Sequence, residues 1–105
     1  MEQVFADWND GPLAHLPSGR FAANAAWLVI AAMAFNLVRA AGALASLPLA
    51  KARAATIRRD LIAVAARTAR HGRGHITLHL PQDWPRETEW LSLHEAACGP
   101  PAAAA

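Results

Sequence analysis

Between Phe21 and Val38 the chain runs eighteen residues without a charge, and no other stretch constrains the fold as strongly. Pro17 and Gly19 break the chain just before it, Ser18 offers an N-cap hydroxyl, and Arg20 sets a fixed charge at its mouth. The run continues to about Leu44 in Ala, Leu, Val, Ile, Met, Phe and Trp, with Asn24, Asn36 and a late Arg39. Gly42 weakens a helix and Pro48 stops one. The stretch is apolar on every side, which describes a buried helix better than an amphipathic surface helix.

Its length also meets the lower limit for a membrane span. A small membrane protein with one span at about residues 21–45, and the basic segment that follows it on the cytoplasmic side, is therefore the alternative reading. Asn24 and Asn36 oppose it, because unpaired amides are costly in hydrocarbon. Apolar residues make up 54% of the 105-residue chain and charged residues 17%. Soluble domains average roughly 45–50% and about 25%. The excess is mostly alanine, which forms helix readily but adds little burial. Such a chain is embedded in a membrane or packed on a partner surface.

The rest reads as one domain, residues 1–98, with a disordered tail over 99–105. Val4, Phe5 and Trp8 share one face of a first helix at 2–9, with Glu2 where a carboxylate suits the helix dipole. The apolar helix covers 19–45, and an amphipathic helix follows at 51–63. His75 to Leu80 alternates polar and apolar, as a half-buried strand does, and pairs with 64–70 in a hairpin spanning 64–80. Asp83 is placed to cap a last helix at 84–97, with Pro85 in its first turn. Trp27, Trp84 and Trp90 are the expected core anchors. The fold class is mainly α with one small β-hairpin.

The net charge of +2 hides an asymmetry. Lys51, Arg53, Arg58, Arg59, Arg67, Arg70 and Arg73 fall in 23 residues that contain one acid, Asp60. That centre suits a polyanion such as DNA, RNA or an anionic lipid surface. The single cysteine, Cys98, excludes a disulfide framework within one chain. The first fifteen residues hold Glu2, Asp7 and Asp10 and do not form a secretory leader. There is no glycine-rich phosphate loop, no GxSxG and no HExxH. His75 and His79 would share a strand face roughly 13 Å apart, too far for one metal ion.

Several segments, in order, carry a family likeness: LPSGRFAANAAWL at 16–28, then MAFNLVRAAG, ATIRRDLIAVAAR and ITLHLPQDWP. They resemble the C-terminal region of bacterial insertion-sequence transposases of the DDE type (group 1), whose catalytic core is RNase H-like. The resemblance implies a C-terminal fragment of an α/β domain rather than a complete one. It implies DNA transposition by metal-dependent strand cleavage and transfer as the parent activity, with insertion-sequence ends as partner, no small-molecule substrate, and a cytoplasmic, nucleoid-associated setting.

In that family three acids hold two Mg²⁺ ions. Glu2 matches the third of these, and the two aspartates have no counterpart in this chain. The expectation is thus an inactive fragment that binds no cofactor alone. Arg58, Arg59, Arg67, Arg70 and Arg73 are the candidate DNA contacts. The apolar helix would pack on the catalytic sheet or neighbouring helices, and without them it would be prone to self-association.

Overall fold

The computed structural model describes residues 2–11 and 13–100. Helix α1 spans Glu2–Asn9 and α2 spans Phe21–Ala45. Two short turns follow, α3 (Leu47–Ala50) and α4 (Ala54–Ile57), and α4 widens into a π-helical segment over Arg58–Ile62. Strands β1 (Arg67–Arg70) and β2 (Ile76–His79) form one antiparallel pair, and α5 covers Glu87–Cys98. The molecule is mainly α with one two-stranded hairpin, as the residue pattern implies. Residues 101–105 of the expected tail lie outside the described residues.

The entry to α2 differs from expectation. Arg20, in extended conformation, occupies the N-cap and supplies no side-chain cap. The Ser18 hydroxyl instead accepts the Arg20 amide at 3.1 Å. Asn24 Oδ1 accepts the Ser18 amide at 3.3 Å, so one of the two asparagines is used to fold the approach onto the first turn. At the far end Ser46 terminates α2 and caps α3, its hydroxyl accepting the Leu49 amide at 3.4 Å. Pro48 sits in the first turn of α3, where a missing N–H costs nothing.

The core lies at this end. Ala45, Leu49, Ile57 and Leu61 are buried together, with Val38, Ala52, Trp90 and Leu93 packed around them. Ile57 is fully buried. Gly42 makes the approach possible: a Cβ there would stand 2.7 Å from Ile57 Cδ1 and 2.9 Å from the Leu49 carbonyl oxygen. Arg39 donates through its two terminal guanidinium nitrogens to the carbonyls of Ala50 and Ala52. It thereby satisfies oxygens at the end of α3 that no helical amide can reach.

Two long-range polar contacts tie the remaining elements down. Asp7 Oδ2 accepts the Ala54 amide at 3.0 Å, so α1 supplies the N-terminal cap that α4 lacks. Asp7 Oδ1 and Asp10 Oδ2 take the Arg53 guanidinium at 3.0 and 3.2 Å. Asp60 receives Arg59 at 2.7 Å and Arg86 at 3.4 Å, which links the π segment to the start of α5. Trp8 packs on Phe35 of α2, ring centroids 5.7 Å apart.

Three expectations are corrected. The helix read at 51–63 begins at Ala54 and turns π-helical, the Ala63 amide bonding the Arg58 carbonyl five residues back at 2.8 Å. Asp83 does not cap the last helix: it sits at φ 54 in a turn, and α5 starts only at Glu87. The strand read as half-buried is exposed along its length, with Ile76 and Leu78 60% and 49% exposed, because no layer covers the hairpin. Of the three tryptophans, Trp90 packs against the core, Trp84 is partly covered and Trp27 lies at the exposed side of α2.

Helix α2 is long and apolar enough to cross a membrane by length and composition, with a mean hydropathy of 1.8 over its apolar window. Only 17% of that window is buried. The expectation of a buried helix therefore holds for Ala31 and for one flank of the C-terminal half, and fails elsewhere.

Candidate functional site

The basic centre of the chain divides in two once folded. Arg53 is held by Asp7 and Asp10, and Arg59 by Asp60. The Asp60 hydrogen bond raises the Arg59 guanidinium above its ordinary value, and its charge acts in the same direction. Arg53 ties the start of α4 to the α1 region, whereas Arg59 pairs with its neighbour within the π segment; both keep their outer faces in solvent. Arg58 is exposed on the π segment.

The hairpin is different in kind. From Leu61 to Gln82 there is no acidic residue, and Arg67, Arg70 and Arg73 project from a ribbon exposed at every position but Ala69. The register pairs Arg67 with His79, Thr68 with Leu78, Ala69 with Thr77 and Arg70 with Ile76. Side chains alternate across a strand. Arg67 therefore shares one face with His79, Ala69 and Thr77, and Arg70 shares the other with Thr68, Leu78 and Ile76. Arg73 stands at the tip, in a 3₁₀ turn over Gly72–Gly74, at φ 72 beside Gly74 at φ 78. The His71 amide closes the loop on the His75 carbonyl at 2.9 Å. Reading 67 and 70 as neighbours in a basic window missed this separation onto two faces.

A cationic two-stranded ribbon has the width the DNA major groove admits, and arginines on both faces and the tip can reach phosphates on either side. Arg58 and Arg59 lie on another element, and Arg59 already has a carboxylate partner. The structure thus gives the five sequence-derived candidates three different settings.

Glu2 opens α1 with its side chain exposed. The other acids of the α1 region, Asp7 and Asp10, are committed to Arg53 and the Ala54 amide. Among the described residues no group of three or more His, Cys, Asp or Glu could hold a metal ion. A pair of hard cations needs several converging carboxylate oxygens, so these residues do not by themselves fit a two-metal centre. His75 lies at the hairpin turn and His79 on β2, both exposed. An open depression between hairpin and α5 is lined by His79, Gln82, Asp83 and Glu87 with Leu78, Leu80 and Pro81.

Sequence reasoning missed the Asp7–Arg53 and Arg39 contacts. They join residues 46 and 11–13 apart, and no local pattern marks them.

A family model described as transposase DDE domain group 1 matches residues 1–97. No curated protein matches the chain, and no solved structure does. Family membership of this kind implies DNA as a partner, a divalent metal in the active enzymes and an intracellular place of work. Since the match takes in α1, the apolar helix, the hairpin and nearly all of α5, the chain belongs to the transposase DDE domain group 1 family.

Proposed function

We propose that these residues form the C-terminal part of an insertion-sequence DDE transposase, residues 1–98, whose activity is DNA transposition by metal-dependent strand cleavage and transfer. In this reading Glu2 is the third acid of the triad, and the two aspartates come from outside these 105 residues. Alone, the chain is catalytically inactive and holds no Mg²⁺, and it works, with the rest of its domain, in the cytoplasm at the nucleoid. The observation that carries the reading is the family match from the first residue to the last helix. The exposed carboxylate of Glu2 is consistent with it, since a metal ligand must stay free of internal ion pairs.

The chain's own residues would act by binding and positioning. Arg67, Arg70 and Arg73 would neutralise phosphates from the hairpin, and Arg58 and Arg59 would extend the contact from the π segment. Such contacts fix where a duplex lies without reading its sequence. A carboxylate at Glu2 would supply acceptor oxygens only, the donor chemistry a divalent cation requires.

The test is duplex binding by fluorescence anisotropy across a salt series. Converting Arg67, Arg70 and Arg73 to alanine should weaken binding and lower the slope of log K against log salt by roughly 2 to 3, at about 0.9 per phosphate contact. An unchanged slope removes the hairpin from the interface. Two aspartate codons in DNA upstream of Met1, in frame or across a frameshift, are expected, and unrelated upstream sequence would remove the triad role of Glu2.

A further inference from the structure

The hairpin presents two unlike faces. Continuing the strand register one step beyond Arg70 and Ile76 sets His71 opposite His75, and the His71 amide donates to the His75 carbonyl at 2.9 Å. Both residues are extended, so strand alternation carries through them. One face therefore holds Arg67, Ala69 and His71 against His79, Thr77 and His75. The other holds Thr68 and Arg70 against Leu78 and Ile76. Three of the five histidines of the chain thus lie on one side of a two-stranded ribbon, and two of them face each other at its tip.

Directly opposite residues have Cβ atoms about 4.5–5.5 Å apart, close enough for two imidazoles to reach one phosphate group. Between them in the chain stands Arg73, flanked by Gly72 and Gly74. A Cβ at either glycine would meet nothing beyond its chain neighbours within 4 Å, so the backbone beside Arg73 is open to a ligand. Both histidines are exposed, and neither imidazole has a hydrogen-bond, ionic or ring partner among the described residues. The charged groups around them are all basic: Arg67 on the same face, Arg70 next in the chain and Arg73 at the turn. The nearest acids along the sequence are Asp60, engaged by Arg59 and Arg86, and Asp83. Asp83 and Glu87 share the open depression with His79, which sets His79 apart from the tip pair.

Imidazole is the side chain whose charge ordinarily changes between about pH 5 and 8. Two imidazolium ions directly opposite repel each other in the free chain. An anion lying between them removes that repulsion and accepts from both rings, since each protonated ring is a donor at both nitrogens. We propose that His71, His75 and Arg73 form a phosphate cradle at the hairpin tip, which takes a phosphodiester of the DNA backbone with uptake of protons on the two imidazoles. This rests on the reading of the hairpin as a DNA contact and adds the face that meets the duplex and the protonation that goes with it. A complex that holds more protons than the free chain tightens as pH falls, by the same linkage that governs folding.

Fluorescence anisotropy of a labelled duplex with the full chain, at fixed ionic strength and in EDTA, tests it at pH 8 and pH 6. Affinity should rise roughly ten-fold from the higher pH to the lower. His71→Gln combined with His75→Gln should remove most of that rise. His71→Lys combined with His75→Lys should instead hold the tight value at both pH values. The opposite signs separate a charge effect from misfolding. His79→Gln, beside Asp83 and Glu87, should leave the rise in place. An equal rise in the glutamine pair, a rise lost through His79→Gln alone, or displacement of the duplex by millimolar inorganic phosphate at the same ionic strength would each overturn the proposal. Salt-dependent binding that ignores pH overturns the cradle and leaves the hairpin contact standing, whereas no binding at either pH removes both.

Discussion

The two halves of α2 are built from the same residue types and live in different surroundings. In the C-terminal half Val38, Gly42 and Ala45 face Leu49, Ile57 and Leu61, with Trp90 and Leu93 closing the cluster. In the N-terminal half Ala31 alone is buried, and Phe21, Val29 and Ile30 are 90%, 61% and 59% exposed. The residues do not explain the difference, but the connections do. After Ser46 the chain folds back at once through α3 and α4, and α5 returns to the same end. The hairpin, which could have covered more, projects away. Hydrophobic pattern states which surfaces gain from cover, and connectivity decides which of them the chain itself can reach.

The sharpest way to break that comparison is to truncate one side chain in each half. Ile57→Ala opens a cavity in the only buried cluster among the described residues and should cost about 2–5 kcal/mol. Against a typical stability of roughly 5–15 kcal/mol for a domain, that loss should bring the chain close to unfolding. Ile30→Ala removes a side chain that is 59% exposed and should cost under about 1 kcal/mol under dilute, monomeric conditions. Urea melts followed by circular dichroism measure both, and equal losses would mean that the N-terminal half is covered after all.

Gly42→Ala comes next. In a helix interior alanine is favoured over glycine by about 1 kcal/mol. Here the new methyl would meet a backbone oxygen at 2.9 Å as well as Ile57 Cδ1 at 2.7 Å. The oxygen belongs to α3 and cannot swing aside as a side-chain end can, so overpacking of about 1–3 kcal/mol should win. A rise in thermal midpoint would show that α3 lies less tightly on α2. Asp7→Ala removes the cap on Ala54 and the Arg53 Nε contact, and should cost about 0.5–2 kcal/mol. The same change at Asp10, 65% exposed and bonded to Arg53 alone, should cost less than half as much.

These residues also mark how far the sequence could be read. Pro17 and Gly19 before α2 and Pro48 after it announce a helix between them, and the alternation in HITLHL announces a strand. Both signals are local, and both elements are there. The Asp7 cap, the Arg39 guanidinium and the need for glycine at 42 depend on residues brought together by the fold, so no local pattern could show them. The half-buried strand failed for a related reason. Alternation says that one face is apolar, and only the tertiary structure says whether anything lies on it. At the candidate site the basic window was legible as charge, but its division into paired arginines and a free hairpin was not. Glu2 was reached through resemblance alone, since a lone exposed glutamate carries no signal of its own.

The smallest expected effect concerns the link between the π segment and α5. The Arg59 hydrogen bond holds the Asp60 carboxyl below the usual range; partial burial opposes it, and the charges of Arg59 and Arg86 reinforce it. Glu89 is held low as well, first by its own backbone amide and then by Arg86. A carboxyl whose pKa is lower folded than unfolded adds stability above its unfolded value, about 3.9 for aspartate, and that stability fades as pH falls through the folded value. Asp60→Asn should therefore lower the thermal midpoint at pH 7, and the gap from the parent chain should narrow as pH drops below about 4. Salt should narrow it too, because Arg59 and Arg86 are 73% and 38% exposed. If the gap is the same at pH 7 and pH 3, the carboxylate charge at Asp60 contributes nothing and α5 is held by Trp90 and Leu93 alone. In that case the packed end of α2 would owe its structure entirely to apolar contact, and the contrast with the bare end would be one of reach and not of charge.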